Sequence, residues 1–67
     1  MRFAIFVDDH PPPHVHVRGV GTARIALSDP PTVITNKGMS KPDIARAKDA
    51  VRERRQELLK VWTELHG

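Results

Sequence analysis

The chain predicts an α+β domain: an antiparallel sheet of three to four short strands with one long C-terminal helix packed on one face. Two patterns carry that reading. Apolar residues alternate with a period of two through the first 36 residues, between turns rich in Pro, Gly and Asp, and from residue 41 onward they recur at spacings of three, four and seven. A third observation sets the scale. With 67 residues the chain forms a single domain, 1–67, with strands and turns over 1–36 and a helix over 41–66. A domain of this size buries only about 60% of its unfolded surface, so association with a second chain would add stability.

Residues 2–7 form the first predicted strand, in which Phe3, Ile5 and Val7 alternate with Arg2, Ala4 and Phe6. Asp8 to Pro13 ends it. The second strand runs from His14 to Arg18, and Gly19-Val20-Gly21 supplies positions that tolerate positive φ for a tight hairpin into a third strand, Thr22 to Leu27. On that strand Ala23, Ile25 and Leu27 share one face and Thr22, Arg24 and Ala26 the other. Ser28-Asp29-Pro30-Pro31 is a second turn, because proline lacks the ladder donor and restricts the residue before it. Thr32 to Thr35 offers a short fourth strand, and Asn36-Lys37-Gly38 turns the chain once more.

Ser40 with Asp43 three residues later is a capping-box-like start, and Pro42 sits in the first turn, where its missing N–H costs nothing. Ile44, Ala47, Val51, Leu58, Trp62 and Leu65 then fall on one stripe, the predicted buried side, with Trp62 as a core anchor. Arg55 lies on the same stripe. Its alkyl stem can cover core while the guanidinium reaches water, or it can form an inward ion pair with Asp8, Asp9 or Asp29; Lys48 is placed to act similarly. Leu59 and Val61 flank the stripe, so a helix this long on so small a sheet predicts a homodimer or a hetero-complex.

The net charge is +3. Residues 1–40 hold four basic and three acidic groups, and residues 41–67 hold seven and five, so neither half is a block of one sign. On the helix, Arg46 with Asp49, Asp49 with Arg52, Arg54 with Glu57 and Lys60 with Glu64 are at three- or four-residue spacing, which describes a solvated, salt-bridged face. Basicity alone therefore permits nucleic-acid binding without demonstrating it. The absence of cysteine excludes a disulfide framework and thiolate metal sites. The opening Met-Arg-Phe-Ala-Ile-Phe-Val is too short an apolar run for a signal peptide, and no stretch approaches the roughly 18 apolar residues of a membrane span. The expectation is a soluble cytoplasmic protein.

Chemistry is concentrated in residues 8–18, Asp-Asp-His-Pro-Pro-Pro-His-Val-His-Val-Arg, which hold three of the four histidines. On a strand His14, His16 and Arg18 project to one face and Val15 and Val17 to the other, and Arg24 of the neighbouring strand joins the polar side. Three readings follow. In the first, His10 and His14 bond backbone groups and staple the proline loop. In the second, the His-x-His step with His10 or Asp9 holds a divalent cation, against which stand Arg18 and Arg24 on the same face and the lack of a nearby Glu. In the third, Arg and His grip phosphate on RNA or a nucleotide; only Phe6 is free to stack on a base, since Phe3 and Trp62 are assigned to the core. The binding residues are then Asp9, His10, His14, His16, Arg18, Arg24 and Arg55, with no metal and no cofactor. A small ribonuclease-type toxin using His10, His14 and His16 as acid and base, or a His/Asp metal-binding protein, is the competing class. No carboxylate base or nucleophile stands beside the histidines in strand register, which favours binding over catalysis.

Several of these residues also carry a resemblance. Arg2-Phe3, the core of Asp9, His10, Pro12, Pro13, His14, His16 and Val17, then Ala23-Arg24-Ile25, Gly38 with Ser40, Arg55 seven residues before Trp62, and His66-Gly67 together resemble the small prokaryotic domain-of-unknown-function family four-one-six-zero. The Pro-Pro-His-x-His element is the specific part and the helix pattern is supportive. The Pro11-Pro12-Pro13 triplet departs from the family, in which a Gly, Asn or acidic residue often precedes the Pro-Pro pair. The resemblance implies a two-gene, toxin-antitoxin-like cassette with a second small protein; joined to the His/Arg face, the expectation is a component of a toxin-antitoxin-like or regulatory two-protein module that binds a cassette partner protein, RNA or DNA, and no membrane.

Overall fold

The computed structural model describes residues 1–67. Four strands, β1 (Arg2–Ala4), β2 (His14–Gly19), β3 (Gly21–Ala26) and β4 (Thr32–Lys37), form an antiparallel meander in the order β1-β2-β3-β4. Two helices follow, α1 (Lys41–Glu53) and α2 (Arg55–His66). The α+β class holds, but the single long helix expected from the sequence is corrected to two, and the fourth strand is a full six residues.

The break lies at Arg54, whose φ of −107° and ψ of 16° leave the helical region. The backbone ladder nonetheless spans the joint, with Arg54 N–H donating to the Ala50 carbonyl and Leu58 N–H to that of Arg54. Arg is a good helix former, and no Gly or Pro marks this position, so propensity gives no sign of the break. Next to the joint, Arg55 Nε donates to the Leu27 carbonyl oxygen at 2.9 Å, tying the start of α2 to the end of β3.

The strand alternation places Val15, Val17, Ala23, Ile25 and Leu27 on the helix side, all at most 4% exposed. Met39, Ala47, Val51, Leu58 and Trp62 close the core from above. Full burial of a side chain such as Ile25 contributes about 1.5 to 3 kcal/mol, so this one cluster supplies most of the apolar driving force. Ser40 caps α1 by accepting from the Asp43 amide at 3.2 Å, with Pro42 in the first turn.

β1 is shorter than the expected 2–7 because Phe6 to Asp9 folds into a turn of its own: Asp9 N–H donates to the Phe6 carbonyl, and the Phe6 amide donates to Asp9 Oδ2, both at 3.1 Å. At the other edge the register of β4 against β3 slips between Arg24 and Ile25, so Ile34 has no partner and Thr35 stands beside Arg24.

Candidate functional site

The sheet face away from the core is an open trough of about 410 Å³. Register builds it. Arg2 pairs with Arg18, Arg18 with Thr22, and Thr22 with Lys37, giving one row across all four strands; Ala4, His16, Arg24 and Thr35 form the next. All four cations of the first 40 residues thus line one concave surface, and no carboxylate joins them there. Arg2 and Arg18, directly opposed on neighbouring strands, repel each other unless an anion lies between them.

Contrast the helices. Arg46 pairs with Asp43, Arg52 with Asp49 and Arg54 with Glu57, whereas Arg2, Arg18, Arg24 and Lys37 make no ion pair. Two of the ion pairs expected from spacing form, while Arg46 chooses Asp43 over Asp49 and Lys60–Glu64 stays open.

At the proline-loop end of the trough, Asp9, His14 and His16 converge, their nearest ligand-capable atoms all within 4.8 Å of one another. His16 Nε2 donates to Asp9 Oδ1 at 3.0 Å and lies 3.1 Å from Oδ2. His14 Nδ1 donates to the Pro12 carbonyl oxygen at 2.9 Å, and its Nε2 faces Asp9 Oδ2 at 3.7 Å. Phe6, half exposed, stands edge-on to His16 with ring centroids 4.8 Å apart.

Strand parity turns His14 toward the trough, yet it is only 5% exposed. The end of α2 encloses it: the Trp62 ring lies 5.4 Å from His14, and His66 stacks on Trp62 at 3.7 Å. His66 also reaches back to the loop, with Nδ1 against the Trp62 carbonyl at 2.8 Å and Nε2 against the Asp9 carbonyl at 3.1 Å. An imidazolium donates to both oxygens, a neutral ring to one.

The remaining expected residues are placed differently. His10 is exposed and stands outside the cluster, and Arg55 bonds the Leu27 carbonyl with no acidic partner. Arg2, Lys37 and His66 were not singled out from the sequence as site residues. The first two become visible only once register is known; His66 sits 57 positions from Asp9 and gives no local signal.

The Asp9 carboxyl is held below its ordinary value of 3.8. Burial works in the opposite direction, raising it, but the His16 hydrogen bond, the Phe6 amide and the charges of His16 and His14 outweigh burial. A depressed carboxylate contributes stability that is present above its unfolded value and lost as the pH falls through its folded one. The unfolding midpoint of the protein should therefore decline on acidification below pH 3.8, and Asp9→Asn should remove part of that decline. Thermal melts across an acid series of both proteins measure it.

These features define a small α+β domain with a cation-lined sheet face and a His/Asp cluster at one end. The chain belongs to the family described as Domain of unknown function (DUF4160), whose model matches residues 1–63. No curated protein and no solved structure matches it. No helix is long and apolar enough to cross a membrane.

Proposed function

We propose that the protein is a nucleic-acid-binding component of a small two-protein module, holding a phosphate backbone in the sheet trough. The observation that carries this reading is the clustering of charge: the four trough cations share one surface with no carboxylate among them, whereas the helices intersperse acidic residues that pair Arg46, Arg52 and Arg54. Guanidinium groups grip phosphate oxygens bidentately, and cations opposed across strands favour a polyanion over an isolated carboxylate. Phe6 supplies one half-exposed ring at the trough end on which a base can stack, which suits a single strand. Contact with a cassette protein fits the apolar surface left at Val33 and Ile34 on edge strand β4, and at Val61 and Leu65 on α2, all between 37% and 45% exposed.

Fluorescence anisotropy with a labelled single-stranded RNA, repeated over a salt series, tests the proposal. Affinity should fall steeply with salt, and Arg18→Ala or Arg24→Ala should each reduce the slope of log K against log salt by about one. Arg46→Ala, which alters a helix-face ion pair, should leave the slope unchanged. Equal loss in all three variants, or no binding at low salt by RNA or DNA, would overturn the assignment.

A further inference from the structure

We propose that Asp9, His14 and His16 form a binding site for one borderline divalent transition cation of the Zn(II) or Co(II) class. The inference is independent of nucleic-acid binding and rests on the electron pair of His14 Nε2. With Nδ1 donating to the Pro12 carbonyl, Nε2 is the ring nitrogen left to bind, as a lone pair in the neutral ring and as a proton facing Asp9 in the charged one. It is buried, with the side chain 7% exposed, and it has no hydrogen-bond partner. The atom in front of it is a carboxylate oxygen at 3.7 Å, itself a donor of electron pairs.

In the neutral ring two lone pairs face each other in a buried place, and a proton or a metal cation between them removes the conflict. The surroundings meet the requirements of a metal ligand set. The Pro12 carbonyl fixes the ring and tautomer of His14, as outer-shell acceptors do for metal-bound imidazoles. Asp9 is held by its turn with Phe6 and by His66 on its carbonyl, which aims the carboxylate at the histidines. His16 Nε2 presents the third donor once its proton is released to solvent or moved to Nδ1 of the same ring.

Two imidazoles and one carboxylate select a borderline divalent ion over Mg(II) or Ca(II), which prefer all-oxygen shells. At metal–ligand bonds of about 2.0 to 2.1 Å neighbouring tetrahedral donors stand roughly 3.3 Å apart, so the 3.7 Å gap between His14 and Asp9 must close slightly while the 3.0 Å gap between His16 and Asp9 opens. Arg24, across from His16, directs its Nε to Thr35 on β4, on the side away from β1 and the loop. Three protein ligands leave a coordination position for water or a ligand in the trough, toward which His16 opens.

Untagged protein, stripped with EDTA, is titrated with Co(II) and followed by visible absorption, and with Zn(II) by calorimetry. One equivalent should bind, with the intense visible bands of four- or five-coordinate Co(II), and Zn(II) should displace it. His16→Gln and Asp9→Asn should each weaken binding about 100-fold or more, since even outer-shell changes cost 10- to 100-fold. Circular dichroism of both variants establishes that they are folded, and His10→Gln should bind as the parent does. Absence of uptake, or uptake that persists in both variants, would overturn the assignment and leave His14 as a staple of the proline loop.

Discussion

Replacing Trp62 with alanine should unfold most of the protein at room temperature. Trp62 is 7% exposed and joins three parts of the molecule: the core beneath α2, the His14 ring of β2 and the stacked His66 that holds the Asp9 loop. Truncating a buried Trp to Ala costs about 3 to 5 kcal/mol, comparable to everything a single small core is able to supply. Chemical denaturation followed by circular dichroism should show no folded baseline, or a midpoint displaced by most of its parent value. A midpoint close to the parent's would mean that α2 is peripheral to the fold.

Gly21→Ala should be nearly as damaging, for a different reason. Gly21 opens β3 at φ +90°, and a Cβ there would come within 2.6 Å of the Lys37 carbonyl oxygen and the Met39 nitrogen and closer still to the Gly38 carbonyl carbon. These are backbone atoms and have no rotamer by which to yield. Conformational strain and overpacking together should cost about 2 to 4 kcal/mol. Gly38, at φ +82°, is the control: its added Cβ would meet nothing nearer than Gly21 Cα at 3.7 Å, so Gly38→Ala should cost only about 1 kcal/mol. Comparing the two denaturation midpoints separates strain from collision.

The contrast between these residues shows what kind of information the sequence holds. Val15, Val17, Ala23, Ile25 and Leu27 declare their faces by alternation alone, because a strand has only two sides. The Ser40 cap is equally legible, since its partner lies three residues away. The break at Arg54 is not, because no Gly or Pro marks it, and the bond beside it joins Arg55 to the Leu27 carbonyl 28 positions earlier. The same division runs through the site. Asp9, His14, His16, Arg18 and Arg24 announce themselves by residue type and parity, but His14 is buried by a helix end that parity knows nothing about. Arg2 and Lys37 become neighbours of Arg18 and Thr22 only through register, and the Ile34 slip that sets Thr35 beside Arg24 follows no local rule.

His66 gives the end of α2 a second role. Its ring bridges the last helical turn and the carbonyl of the residue whose carboxylate holds His16, so the helix end and the loop carry one shared constraint. By thermodynamic reciprocity, if an occupant of the loop tightens the final turn of α2, whatever grips that turn raises affinity at the loop by the same factor. A partner docking on Val61 and Leu65 would then report, through a single imidazole, on the occupancy of the sheet face behind it.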